Sequence, residues 1–174
     1  MIVLFKVGDG SGPGACYNTK KVGVSAQLLC STLAQTTDPF QIGREFDSIS
    51  ALRPRVLKPI VHLVIAISPM DQNKGSTVNF KFWLTQLQKV MGLEKSQLIA
   101  WQHLDRPHPH IHALINRVTA DSKVISVWGI HQKIEDYVKV QRNIFQLAGV
   151  KKRDFIDDFS SNEKSQLALK SFGC

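Results

Sequence analysis

The sequence predicts an α/β fold, a two-layer sandwich with a central, largely antiparallel sheet, helices on one face and a histidine-rich polar site on the other. Two patterns support this prediction. The predicted strands carry one apolar and one more polar face, which is typical of antiparallel sheets covered on one side. The predicted helices carry a single apolar stripe at the 3.6-residue period. A chain of 174 residues with 43% hydrophobic content can bury one core.

The first half of the chain supplies a strand, a loop, a helix and a second strand. A strand is predicted at residues 2–7, and residues 8–14 hold four glycines in seven positions, which indicates a loop. Asp38 followed by Pro39 predicts the start of a helix. Residues 59–68 form the most apolar run and predict a central strand.

The second half supplies two helices around a hairpin. A helix capped by Ser76 or Thr77 should end at Gly92. A last long helix begins near Ile130 and should close at Gly149. Between the two helices, the patterns predict hairpin strands at residues 98–105 and 110–119, and an edge strand at residues 124–128.

The hairpin concentrates histidines, because residues 101–118 hold four of the six in the chain. Alternation along the second strand places four polar side chains on one face: His108, His110, His112 and Asn116. An antiparallel pairing also brings His103 opposite His110 on that face, with Cβ atoms ~5 Å apart. The pattern therefore predicts that three imidazoles converge, those of His103, His110 and His112.

Three neutral imidazoles suit a divalent transition metal and leave coordination positions open. Asp105 could orient one of the rings. His62, on the more polar face of the central strand, is either a buried sheet histidine or a neighbour of the cluster. Two other interpretations are a surface hairpin that happens to be histidine-rich and a structural zinc site, but structural zinc sites usually recruit cysteine and none lies nearby.

The charge of the chain points to a polyanionic partner. The formal net charge is +8 and the isoelectric point is about 9.6, which favours nucleic acid over membrane because no basic amphipathic helix stands out. No run approaches the ~20 apolar residues of a membrane span, and the N-terminus lacks the pattern of a secretory signal. We therefore expect a cytoplasmic protein without membrane insertion.

Taken together, these residues resemble the plasmid mobilisation relaxases, DNA-nicking enzymes of the HUH endonuclease superfamily. The similarity covers most of the chain, from the glycine-rich start leading to Tyr17 to the hairpin. It also includes the Arg-Pro-Arg-Val-Leu-Lys-Pro segment at 53–59 and a helix ending in Met-Gly-Leu. Its most specific motifs are His103-Leu-Asp105, Pro109-His110-Ile-His112 and Asn116-Arg117-Val118.

The resemblance implies an HUH endonuclease fold and a sequence-specific nickase that acts on single-stranded DNA at an origin of transfer. Tyr17 would be the nucleophile and would form a 5′-phosphotyrosine intermediate. The three histidines would hold a divalent ion, Mn²⁺ or Mg²⁺ first, with Zn²⁺, Ni²⁺ or Co²⁺ also compatible. Accessory relaxosome proteins and a coupling protein would be possible partners. The supporting positions around the ligands would be Asp105, Asn116 and His62, and the DNA contacts Lys20, Lys21 and Arg117.

Two other functions stay open at this point. A rolling-circle replication initiator of the same superfamily would use Tyr137, which lies after the histidines, although Tyr137 also fits the apolar stripe of its helix. A basic DNA-binding module without catalysis is the other. We expect residues 1–150 to form the nuclease domain and residues 151–174 a basic, loosely ordered C-terminal tail.

Overall fold

In the computed structural model, which describes residues 1–68, 71, 79–106, 108–145 and 147, five strands form one sheet. The strands are β1 (Ile2–Gly8), β2 (Ala26–Ser31), β3 (Ile60–Ala66), β4 (Leu98–His103) and β5 (His110–Asn116). Their order across the sheet is β1-β3-β5-β4-β2, and every neighbouring pair is antiparallel. The predicted α/β class and antiparallel sheet are confirmed.

Four helices accompany the sheet: α1 (Gly12–Thr19), α2 (Pro39–Ser50), α3 (Phe80–Met91) and α4 (Ile130–Phe145). The Asp38 side chain caps α2 by accepting a hydrogen bond from the backbone N–H of Phe40. Asn79 caps α3 in the same way, and Gly92 ends that helix in the left-handed conformation at φ 72°. The predicted stop at Gly92 is confirmed. The predicted cap is wrong, because Asn79 caps the helix, while Ser76 and Thr77 lie outside the described residues.

The two faces of the sheet carry different cores. On one face, α3 and α4 pack their apolar stripes on the odd-numbered residues of β3 and β5, among them Leu63, Ile65, Ile111 and Ala113. This burial follows from strand alternation, which leaves the intervening histidines on the other face. The site therefore lies opposite α3 and α4, as predicted.

The site face is also partly covered by helices, which the expectation of a single helical face did not include. Residues of α1 and α2, including Ala15, Ile42 and Phe46, pack with Trp101 and Leu114 of the sheet in a separate apolar cluster. This cluster occupies one part of the face and leaves the rest to the histidines. The amphipathic pattern of α2 identified a buried stripe but could not identify which face of the sheet would bury it.

Close packing explains one glycine of the N-terminal stretch. A Cβ atom on Gly14 would lie 3.0 Å from the nearest side-chain carbon of Leu114, so a glycine here lets the α1 backbone approach β5. The predicted loop is shorter than expected, since α1 begins at Gly12 with Pro13 in its first turn. The backbone of α1 is thus held directly against the strand that carries two of the histidines.

Two edge elements differ from the sequence prediction. The strand expected at residues 124–128 is wrong, because the pairing there is a single bridge between Val118 and Val124. β2 was not predicted, and it lies at the sheet edge with mostly exposed or half-buried residues, so it lacks apolar alternation.

The predicted helix end at Gly149 and the tail at residues 151–174 lie outside the described residues. Among the helices described, none is both long and apolar enough to cross a membrane.

Candidate active site

Three histidines meet on the site face of the β4–β5 hairpin. His103 pairs directly with His110, and Trp101 pairs with His112, so the predicted register of the hairpin is confirmed. One ring nitrogen of each of His103, His110 and His112 lies within 4.8 Å of the others. Among the residues that the structure describes, this is the group of side chains that could hold a metal ion.

Each of the three rings is also held from behind through its second nitrogen. His103 Nε2 lies 2.6 Å from Asn18 Oδ1, and His110 Nδ1 lies 3.2 Å from the backbone oxygen of His108. His112 Nδ1 lies 3.0 Å from His62 Nε2. Such partners orient the rings and leave the other nitrogen of each ring available to bind a metal.

Burial keeps the cluster uncharged. It lowers the pKa of His103 to about 3, and the proximity of His110 and of the Lys21 ammonium acts in the same direction. Burial also lowers the pKa of His110. It lowers the pKa of His112 well below the usual value, and the electrostatic effect of the neighbouring His62 lowers it further. Neutral imidazoles at neutral pH have lone pairs available for a metal.

The buried Nδ1 atom of His103 tests whether a metal fits this site. It has no hydrogen-bond partner among the described residues, although a buried polar atom without a partner is costly. A cation bound by the three imidazoles would satisfy this atom. The chemistry and the geometry of the three donors therefore fit a divalent ion.

Asp105 lies beside two of the three rings. Its Oδ1 atom is 3.8 Å from His103 Nδ1 and also 3.8 Å from His110 Nε2, which are longer than hydrogen bonds. Its Oδ2 atom accepts a hydrogen bond of 2.5 Å from Lys21 Nζ. Burial alone would raise the pKa of Asp105, but the hydrogen bond and charge of Lys21 hold it below its usual value. The carboxylate thus faces the nitrogens that a metal would bind.

Tyr17 reaches the same centre from α1. Its ring stacks on His103 with centroids 5.9 Å apart and an interplanar angle of 25°, and it meets His112 edge-on at 6.1 Å. Lys21 Nζ donates a 2.6 Å hydrogen bond to the Tyr17 hydroxyl. Burial opposes the charged form of Lys21, but Asp105 and Tyr17 raise its pKa above the ordinary value, so it stays an ammonium. One lysine therefore links the tyrosine hydroxyl to the carboxylate.

The structure separates two of the predicted site residues from this centre. Asn116 lies four positions beyond His112 along β5, and its side-chain amide donates to the backbone oxygen of Phe46 and to Ser50 Oγ. Arg117 Nε donates to the backbone oxygen of Lys58. The Asn116 contacts anchor the end of α2 to the sheet. Lys20, the neighbour of Lys21, is exposed at the end of α1.

Tyr137 lies on the opposite side of the sheet. It belongs to α4 and packs against the apolar core beneath α3 and α4. Its hydroxyl is buried without a hydrogen-bond partner among the described residues. Burial raises the pKa of Tyr137 to about 12.

Asn18 is the site residue that the sequence did not suggest. It is fully buried, its Oδ1 faces His103, and its Nδ2 donates a 2.6 Å hydrogen bond to the backbone oxygen of Gly14. The one local signal was its position directly after Tyr17. An asparagine in a helix has many commoner roles, so that signal alone could not identify it.

Comparison with known proteins gives one match. The family described as "Relaxase: MobA/VirD2-like, nuclease domain" matches residues 17–145, from the candidate tyrosine to the end of α4. No curated protein and no solved structure matches the chain. The histidine cluster on an antiparallel sheet fits the HUH fold that the resemblance implied. Since the family match spans most of the 174 residues, the chain belongs to the MobA/VirD2-like relaxase nuclease family.

Proposed function

We propose that this DNA nickase of the relaxase family cuts single-stranded DNA at a specific site in an origin of transfer, in a metal-dependent reaction, through a 5′-phosphotyrosine intermediate on Tyr17. The observation that carries the proposal is the joint placement of Tyr17 and the histidines. The ring of Tyr17 stacks on His103, and the hydroxyl of Tyr17 accepts a hydrogen bond from Lys21.

In the proposed reaction, the hydroxyl oxygen of Tyr17 forms a bond to the scissile phosphorus, and the bond from phosphorus to the 3′ oxygen breaks. The Tyr17 hydroxyl gives up its proton and the departing 3′ oxygen gains one, so the products are a phosphotyrosine ester and a free 3′ hydroxyl. One phosphate ester bond is exchanged for another, so a 3′ hydroxyl can later attack the phosphotyrosine and rejoin the strand. Lys21 places an ammonium at the attacking oxygen, where it stabilises negative charge.

His103, His110 and His112 would hold a divalent ion at this centre. The ion would supply positive charge that stabilises the charge developing on the phosphate oxygens. Three imidazoles kept neutral by burial suit Zn²⁺, Ni²⁺ or Co²⁺, while Mn²⁺ and Mg²⁺ favour oxygen ligands, one of which Asp105 could supply.

The charge of the chain supports a polyanionic substrate. A net charge of +8 favours contacts with the DNA backbone, and Lys20, which is exposed, and Lys21 follow Tyr17 by three and four residues. We propose both lysines as contacts near the cleaved phosphate, and residues 1–150 as the nuclease domain. Arg117 is tied to backbone oxygens near β5, so we propose for it a structural role.

A covalent adduct tests the proposal directly. The protein is incubated with single-stranded oligonucleotides from candidate origins and Mn²⁺, and the products are separated under denaturing conditions. We expect a stable protein–DNA adduct, and peptide mapping by mass spectrometry should place the nucleotide on Tyr17. An adduct on Tyr137 would instead support the replication initiator. DNA binding without any adduct or nicking, across all the metals named, would support a non-catalytic binding module.

A further inference from the structure

The hydrogen bonds of Asn18 determine which nitrogen of His103 carries the proton. Asn18 Nδ2 donates to the backbone oxygen of Gly14 at 2.6 Å, and a carbonyl oxygen can only accept. The amide is therefore oriented with Oδ1 toward His103, whose Nε2 lies 2.6 Å away. Because Oδ1 is also only an acceptor, the Nε2 atom must be the donor.

A neutral imidazole has one N–H, so a proton on Nε2 leaves a lone pair on Nδ1. This Nδ1 atom is buried and has no hydrogen-bond partner among the described residues. It lies 3.8 Å from Asp105 Oδ1, and the same oxygen lies 3.8 Å from His110 Nε2, so these two ring nitrogens share one carboxylate neighbour. Nδ1 is thus the atom of His103 that is free to bind a metal.

We propose that Asn18 is a positioning residue that holds His103 in the tautomer with Nε2 protonated, so that Nδ1 is the metal-binding atom. The proposal rests on the proposed function of the cluster as a metal centre. Helix α1 would then position a metal ligand as well as the proposed nucleophile, since Asn18 directly follows Tyr17 in α1. One turn of helix then orients both the attacking group and a ligand.

Asp105 makes this restraint necessary. Its carboxylate lies 3.8 Å from His103 Nδ1, and a small movement would let it accept a hydrogen bond from a protonated Nδ1. That tautomer would have no lone pair on the metal side. Asn18 is fully buried and opposes this alternative by offering Nε2 an acceptor that water cannot replace.

The tautomer can be measured in the protein without metal. In ¹⁵N-histidine-labelled protein above pH 7, long-range ¹H–¹⁵N correlation spectra distinguish a protonated ring nitrogen from an unprotonated one. We expect His103 to carry its proton on Nε2. A proton on Nδ1 in the wild-type protein would overturn the proposal without any variant.

Variants then test the role of Asn18. Asn18→Leu removes the acceptor at similar volume, so we expect the proton of His103 to move to Nδ1 and the affinity for Mn²⁺, measured by calorimetry, to fall ~10- to 100-fold. Asn18→Asp keeps an acceptor oxygen and should keep the proton on Nε2. If Asn18→Leu keeps the wild-type tautomer and Mn²⁺ affinity, or if Asn18→Asp moves the proton to Nδ1, the proposal fails.

Thr19→Ala is the matched control, because among the described residues the Thr19 hydroxyl donates only within α1, to the backbone oxygens of Ala15 and Cys16. It should change neither the tautomer nor the affinity for Mn²⁺, and an equal loss in this variant would assign the effect to α1 as a whole. The two proposals fail separately. A protein with the expected tautomer that forms no DNA adduct would contradict the proposed function alone.

Discussion

Two tyrosines occur in this chain, and they lie on opposite sides of the same sheet in opposite environments. Tyr17 stacks on His103, and its hydroxyl accepts a hydrogen bond from Lys21. Tyr137 packs against the apolar core with a buried hydroxyl that has no described partner. In the sequence, both lie in helices and both have lysines nearby.

The difference teaches that the surroundings of the hydroxyl, more than the residues beside it in the chain, separate a candidate nucleophile from a core residue. Burial raises the pKa of Tyr137 to about 12, which disfavours the phenolate. Tyr17 has a charged donor at its oxygen and three neutral imidazoles beside it. The strongest experiments therefore treat the two faces in parallel.

The largest expected effect comes from removing each tyrosine hydroxyl. Tyr17→Phe keeps the ring but removes the attacking oxygen, so the covalent adduct should vanish and nicking should fall by on the order of 10³-fold or more. Binding to single-stranded DNA, measured by fluorescence anisotropy, should change little. Tyr137→Phe is the matched control and should nick normally. If Tyr137→Phe abolishes the adduct and Tyr17→Phe does not, the assignment of Tyr17 as the nucleophile is wrong.

The second largest loss of nicking is expected from replacing a histidine of the cluster, with a histidine on the other face of the sheet as the control. His110→Ala removes one of three candidate ligands, so we expect a fall of ~100-fold or more in nicking, together with weaker Mn²⁺ binding by calorimetry. His131→Ala is the control on the other face, where the ring of His131 meets Phe5 at 5.1 Å. Normal nicking by His110→Ala would place the metal centre elsewhere.

A smaller effect is expected at the lysine that bridges Tyr17 and Asp105. Lys21→Met keeps the aliphatic stem and removes the hydrogen bonds to both partners, so the rate of nicking at saturating DNA should fall ~10- to 100-fold. Lys20→Met removes the neighbouring charge, which has no such role, and should mainly weaken DNA binding at low salt. Equal rate losses in the two variants would mean that Lys21 acts only as a contact with the DNA backbone, as Lys20 does.

The smallest effect concerns the stability of the metal-free protein at acid pH. The folded protein holds the pKa of His103 at about 3, against 6.5 for the ordinary group. The unfolded chain therefore binds a proton first as the pH falls, so stability present above pH 6.5 is lost toward pH 3.

The slope of this loss is at most about 1.4 kcal/mol per pH unit for each such histidine. Urea unfolding between pH 7.5 and 4.5 measures it. His103→Gln should reduce the slope. An identical slope in wild type and His103→Gln would mean that other groups control the acid transition.

The site hairpin was predictable because its pattern is local. Alternation placed His110 and His112 on one face, and the short connection fixed His103 opposite His110, as the structure has it. The helix ending at Gly92 was predictable for a similar reason, since a left-handed C-cap has a strong glycine preference.

The remaining features depend on contacts between distant parts of the chain. Asn18 meets His103 across 85 residues of sequence, and no periodicity in either segment predicts that pairing. The same limit applies to Asn116, whose polar position suggested the site but whose amide anchors α2 through Phe46. β2 escaped prediction because an edge strand with few buried residues lacks an alternating pattern.

The contact between Gly14 and Leu114 has a consequence for the order in which the protein becomes active. The β4–β5 hairpin is local in sequence, whereas α1 reaches it through a contact that closes a loop of 100 residues. Local contacts generally form before contacts that close long loops. We therefore expect the histidines to assemble early in folding, and the tyrosine to arrive only when the N-terminal helix docks. A half-folded chain would then present the three histidines without Asn18 and Tyr17, so we expect it to bind a metal only weakly and not to cleave DNA.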